Sequence, residues 1–334
     1  MAEILTADET DIDRAGTLLR AGELVAVPTE TVYGLAANAF CETAVRNIFS
    51  AKGRPFIDPL IVHVHSAEQV AELADVSHPF FKKLADAFWP GPLTLVLPKK
   101  DSVPAIVTAG EPTVAVRMPA HPLMRKILRA AGVPLAAPSA NPFGYVSPTT
   151  AQHVQDSLGG RISTIVDGGA CACGVESTIV FVADEPRLLR PGVITRENLE
   201  AVLGVPVAPA KGLLEKLADD AAAGAQLAPG MLKKHYSPRV PVKLFAHGAF
   251  PQIERAGCAV VFQARKNPET LAGLPAGTQC FWLSEDGDAA EVARTVFALL
   301  RRLDGEDFSS VFIEKAPDCG IGVAVNDRLS RAAN

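Results

Sequence analysis

Short runs of β-branched and apolar residues recur along the chain, and helical stretches separate many of them. That alternation constrains the fold more than any other feature, because strands bury side chains with period two and helices with period 3.6. The runs lie at 24–28, 59–65, 93–98, 113–119, 133–141, 163–169 and 176–182. "DETDIDRAGTLLRAG" and "CETAVRNIFSAKG" read as helices, each stopped by a glycine, and two more helical stretches reach Phe88. Residues 1–203 are therefore expected to form an α/β domain around a large sheet. Residues 204–240 are rich in Ala, Pro and Gly and read as a linker, with a short helix at 211–223. From 241 to 334, "VKLF", "CAVVFQA", "CFWLS" and "SVFIEKA" alternate with helical patterns. They predict a small second α/β domain with a mostly parallel sheet.

Charge narrows the function. The chain carries −5 overall, and neither half is basic. Broad, sequence-independent DNA binding is not expected, although a local pocket can still hold a small anion. Six cysteines are scattered with no C-x-x-C pair, so no zinc site is expected. Cys171 and Cys173 could take a soft metal, but two small buried residues in a glycine-rich turn is the favoured reading. The acidic N-terminus does not look like a signal peptide, and no apolar run reaches the ~18 residues a membrane span needs. The expectation is a soluble cytoplasmic protein with reduced thiols.

Four stretches carry polar groups where a ligand could sit. "VPTETVYGLAANA" brings Thr29, Glu30, Thr31 and Tyr33 to the end of a strand, either for a ligand or to cap a local turn. "AKGRPFIDPL" places Lys52 and Arg54 around Gly53, either to grip phosphate or as solvated cations at a helix C-terminus. "APSANPFGYVSPTT" puts Ser139 and Asn141 two apart after a strand, with Ser147 where an N-cap belongs. There is no nucleophile elbow around Ser139 and no P-loop. Arg117 and Arg190 sit on apolar strands and need anionic partners, from a ligand or from a structural acid. His63 and His65 share a strand face without a third metal ligand nearby. Together these polar groups at strand ends describe an anion-binding cleft.

"PTETVYGLAANA", "KGRPFIDPLIVHV", "WPGPLTLVL", "VAVRMPAHP", "PSAN", "GVESTIV" and "LRPG" occur in this order. In these the chain resembles the YrdC-type domain of L-threonylcarbamoyladenylate synthases. "APGMLKKHYSP" and "GIGVAVNDRLSRAA" are similar to the linker and last helix of that family's long, two-domain form. The resemblance implies a YrdC-like twisted open sheet with flanking helices, plus a Rossmann-like C-terminal domain. It also implies a reaction: threonine, bicarbonate or CO2, and ATP yield threonylcarbamoyl-AMP and pyrophosphate. A separate complex then transfers the threonylcarbamoyl group to tRNA.

By the same resemblance, Lys52, Arg54, Asp58, Ser139, Asn141, Ser147, Arg190 and Tyr236 hold ATP, with Thr113 nearby. Thr31, His63, Arg117 and Ser177 hold threonine, Arg117 at its carboxylate, and Tyr33 walls that pocket. His235 and Tyr236 form a lid, and Mg²⁺ bridges the phosphates with few protein ligands. Asp58 departs from the Asn usual in similar sequences. An acid there would repel phosphate unless it faced Mg²⁺ or Arg54.

Two rivals remain at this level. A YrdC-like RNA-binding module without adenylate synthesis is disfavoured by the acidic charge and the lack of aromatic runs. A carbamoyl-adenylate enzyme like the related domain of hydrogenase maturation proteins would carry acylphosphatase and zinc-finger segments, which this sequence lacks.

Overall fold

The computed structural model describes residues 1–210, 236–254 and 256–333. His235 and the helix expected at 211–223 lie outside the described residues.

The first sheet begins with β1 (Glu3–Leu5), β2 (Val25–Val27), β3 (Gly34–Asn38), β4 (Ile61–His63) and β5 (Leu93–Pro98). It continues with β6 (Thr113–Arg117), β7 (Leu135–Ala136), β8 (Thr164–Val166), β9 (Thr178–Phe181), β10 (Arg187–Arg190) and β11 (Ala208–Pro209). Their spatial order is β1-β8-β2-β3-β7-β4-β6-β5-β9-β10-β11, with parallel and antiparallel neighbours mixed. One face is covered by helices Glu9–Arg20 and Pro122–Ala131, whose buried Ile12, Ala15, Leu19, Met124 and Ile127 pack on Val25 and Val27. Spacings of three and four residues bring such positions onto one helix face.

Helix Glu42–Lys52 covers the other face with Val45, Ile48 and Phe49. Its phase also turns Lys52 inward, and Gly53, in the left-handed region at φ 64°, ends it. After that sharp stop Arg54 turns back into the fold and is buried like Lys52.

The second sheet holds β12 (Val242–Phe245), β13 (Cys258–Ala264), β14 (Gln279–Ser284) and β15 (Ser310–Glu314) in the order β12-β15-β13-β14. All its pairings are parallel. Helices Ala289–Asp304 and Ile321–Ala332 pack their apolar faces into its core. The same cluster takes in Val32, Val146 and Val175 of the first sheet's loops, so the two units share apolar contact. Gly174, at φ 76°, makes the approach possible: a Cβ there would lie 2.3 Å from Arg294 Cα. Among the described residues, no helix is long and apolar enough to cross a membrane.

Three local expectations change. The run 133–141 keeps only two strand residues, because Pro134 and Pro138 bracket it and cannot donate to a ladder. The weak β-formers Gly34–Asn38, just after the polar turn, form a full strand between β2 and β7. Ser147 is not an N-cap: helix Ala151–Leu158 is capped by Thr150, whose hydroxyl accepts from His153 N at 3.2 Å.

Candidate active site

Strand ends from distant parts of the chain converge on one cleft. It is lined by Thr29 and Thr31 after β2, His63 at the end of β4 and Arg117 at the end of β6. Ser139 after β7, Ser177 before β9, Arg190 at the end of β10, Arg54 and Tyr236 complete it. Its free volume is about 50 Å³. Polar groups at strand ends of an α/β sheet are where ligands are recognised.

At one end, β4 and β6 run parallel with His63 opposite Arg117. Arg117 donates to Glu30 Oε1 at 2.5 Å, to Thr31 Oγ1 at 2.9 Å and to Gly91 O at 3.3 Å. Burial pushes the Glu30 carboxyl up, but Arg117 outweighs it and the net pKa lies below the ordinary range. The acid that Arg117 requires is therefore Glu30, built into the protein. Burial, reinforced by Arg117, drops the His63 pKa to about 3, so its imidazole is neutral at physiological pH. His63 Nδ1 has no hydrogen-bond partner. Thr29 serves the turn, accepting from Thr31 N and Val32 N and donating to Val32 O.

The other end is cationic and internally braced. Lys52 Nζ donates to Ser139 O and Asn141 O, both at 2.5 Å, so one ammonium clasps the two ends of the Ser-Ala-Asn turn. Burial and then Arg54 pull its pKa well down. Arg54 donates to Asp58 O at 3.0 Å and Pro59 O at 2.7 Å, and pairs with the Asp58 carboxylate at 2.9 Å. Asp58 thus faces Arg54, one of the two partners that would make an acid tolerable there. Arg190 donates to Ser177 O and Ser177 Oγ, both at 3.1 Å. Ser147 Oγ donates to Glu176 Oε1 at 2.5 Å, and Glu176 Oε2 accepts from Arg328 Nε at 2.8 Å. Tyr236, buried at φ 64°, stacks on Phe297, and burial lifts its phenol pKa to about 12.

Of the described residues singled out from the sequence, Thr31, Arg54, His63, Arg117, Ser139, Ser177, Arg190 and Tyr236 line the cleft. Lys52 and Asn141 support it from behind. Asn141 Nδ2 donates to Pro142 O and Tyr145 O, and its Oδ1 is unpartnered. Tyr33 does not wall the cleft; its hydroxyl donates to Gly169 O at 2.8 Å and accepts from Gly168 N. Thr113 stands outside the lining, with its hydroxyl buried and unpartnered. The sequence brought Glu30 to the strand end but did not identify it as the partner of Arg117, nor Glu176, which lines the cleft, as the partner of Arg328.

Among the described residues, no three of His, Cys, Asp and Glu cluster as a metal cage. The carboxylates at the cleft, Glu30, Asp58 and Glu176, are each engaged by an arginine.

Two family models match in sequence: one described as "Telomere recombination" over residues 17–192, and one described as "Threonylcarbamoyl-AMP synthase, C-terminal domain" over 194–334. The chain is 41% identical to a threonylcarbamoyl-AMP synthase of Bacillus subtilis, covering 98% of this chain and 94% of the relative. It is 40% identical to one of Pyrococcus abyssi, covering 98% and 95%. A crystal structure of P. abyssi Sua5 complexed with L-threonine superposes with a TM-score of 0.88 at 37% identity, covering 99% of this chain and 98% of that one. E. coli YciO, at 20% identity and a TM-score of 0.51, shares the fold of the larger unit. By sequence over nearly its whole length and by fold, the chain belongs to the threonylcarbamoyl-AMP synthase family.

Proposed function

We propose that the enzyme condenses L-threonine, bicarbonate or CO2, and ATP into threonylcarbamoyl-AMP, releasing pyrophosphate, for N6-threonylcarbamoyladenosine formation on tRNA. The observation that carries this is the single cleft with an arginine–hydroxyl end and a cationic, hydroxyl-lined end. Free threonine amine adds to CO2 with loss of a proton, or to bicarbonate with loss of water, to give a carbamate. A carbamate oxygen attacks the α-phosphorus, and the bond to the β,γ-diphosphate breaks. Such a displacement needs in-line positioning and charge neutralisation more than a covalent intermediate.

Arg117, its orientation fixed by Glu30, Thr31 and Gly91, takes the threonine carboxylate. His63, neutral at working pH, serves as a hydrogen-bonding group rather than as a charge. Thr31 and Ser177 orient the amino acid. Arg54, Arg190 and the turn clasped by Lys52 (Ser139 to Asn141) receive the phosphates and nucleoside, together with Ser147. Mg²⁺ would arrive on the ATP and spread the developing charge. Tyr236 walls the nucleotide side and helps exclude water from a labile product, and the lid role expected for His235 lies outside the described residues. The product then passes to a separate tRNA-modifying complex.

The test is pyrophosphate release with threonine, serine or carbamoyl phosphate, each with and without bicarbonate. Release that requires both threonine and bicarbonate is expected. Release with carbamoyl phosphate alone, or none with threonine, would overturn the assignment.

A further inference from the structure

Glu176 is an acid in an awkward place. It lines the cleft, buried, on the side where Arg54 and Arg190 would attract phosphates. An unneutralised carboxylate there would repel the nucleotide and also draw Arg190 into an internal ion pair.

Its neutralising partner comes from the other end of the chain. Arg328, on helix Ile321–Ala332 of the second unit, is 1% exposed. Its Nε donates to Glu176 Oε2 at 2.8 Å and another nitrogen donates to Pro191 O at 3.0 Å, one residue beyond Arg190. A third nitrogen donates to Asp327 at 2.6 Å, and the guanidinium lies 5.4 Å from the centre of the Tyr236 ring. One side chain thus touches three parts of the nucleotide end: its acid, the carbonyl beside its arginine, and its aromatic wall.

Helix Ala289–Asp304 of the same unit reinforces the docking. Arg301 donates to Val146 O at 2.6 Å and to Ser147 O at 3.2 Å. The groups facing Glu176 are Ser147 and Arg328 by hydrogen bond, with Arg190, Tyr236 and Lys52 in its electrostatic reach.

We propose that Arg328 is a positioning residue for the nucleotide end. It neutralises Glu176, whose other oxygen already accepts from Ser147 Oγ, so that the carboxylate does not repel phosphate at that end of the cleft. The second unit then completes the first unit's site. This inference rests on the reaction proposed above.

Its test is steady-state pyrophosphate release by the full chain. R328Q should raise the KM for ATP about tenfold or more, with the KM for threonine changed less than about twofold. R328K, which keeps the charge but not the fork, should fall between R328Q and the parent. E176Q/R328Q, which leaves no charge to neutralise, should recover most of the lost ATP affinity. A purely structural role would instead lower the unfolding midpoint and move the KM values for ATP and threonine together. An unchanged ATP KM in R328Q overturns the inference, as does a double variant no better than R328Q at an equal unfolding midpoint. If R328Q does not fold, the double variant decides: an ATP KM near the parent's supports the inference, and a tenfold rise overturns it. Absence of threonine-dependent release from the parent enzyme would instead defeat the functional reading.

Discussion

The two ends of the cleft each contain a buried arginine–glutamate pair, and they are built in opposite ways. At the end proposed for the amino acid, Arg117 on β6 and Glu30 in the turn between β2 and β3 both belong to the first unit, and Arg117 stands in register with His63 on the adjacent strand. At the nucleotide end Glu176 depends on Arg328, 152 residues away, in a unit with its own sheet. The first pair is fixed once one sheet forms. The second exists only when two cores dock. The amino-acid end is therefore expected to be preorganised, and the nucleotide end to respond to how the units sit against one another.

The sharpest way to break this contrast is Arg117→Met. It strands Glu30 as a buried, unpaired acid, a change that typically destabilises by about 3–5 kcal/mol. Threonine-dependent turnover should fall about a thousandfold, since carboxylate binding and orientation are lost together. Saturating ATP should not restore it. A thermal midpoint matching the parent's would show that Glu30 finds another partner and that the end is less rigid than claimed.

Lys52→Met probes the other end more gently. Charge-assisted hydrogen bonds contribute about 1.5–3 kcal/mol each, so loosening the clasp on Ser139 O and Asn141 O should raise the KM for ATP by about 10- to 100-fold. The threonine KM should move little. Equal rises in both would mean that the two ends are one mechanical unit.

His63→Asn tests preorganisation through pH. The folded imidazole has its pKa near 3, far below an ordinary histidine. As pH falls below about 6.5 the unfolded chain's imidazole takes up a proton that the folded one refuses, so folded stability drops. One such group contributes a slope approaching 1.4 kcal/mol per pH unit, at about pH 4 to 6. His153, lowered to about 4, adds to the same trend. Urea unfolding of the parent and the variant at pH 7 and pH 5 should give a smaller loss in the variant. Parallel losses would place a proton on His63 in the folded state.

These contrasts also explain what could be read from the sequence. Lys52 follows Val45, Ile48 and Phe49 at helical spacing, so its burial was implicit in the local pattern. The alternation that announced both sheets is likewise local. The partner of Arg117 was ambiguous because Glu30 lies 87 residues away, and nothing in "VAVRMP" names it. Ser147 looked like an N-cap because Pro148 follows it, yet Thr150 won that role and freed Ser147 to reach Glu176. Arg328 drew no notice: in "NDRLSRA" it resembles an ordinary surface cation, and only docking buries it. Local periodicity carried the elements, whereas long-range pairing, to which sequence spacing is blind, built the site.

Asp58→Asn is the smallest and most diagnostic change. Asp58 is fully buried and pairs with Arg54 at 2.9 Å, so part of that arginine's positive field is cancelled before any phosphate arrives. Asparagine can keep a hydrogen bond to the guanidinium while removing the charge. Arg54 should then attract phosphate more strongly, and the KM for ATP should fall about two- to fivefold, with the threonine KM unchanged. The lost ion pair acts in the opposite direction on the fold, so the unfolding midpoint should drop in the same variant. A higher ATP KM would mean that the carboxylate aims Arg54 rather than competing for it, and that the nucleotide end is as preorganised as its neighbour.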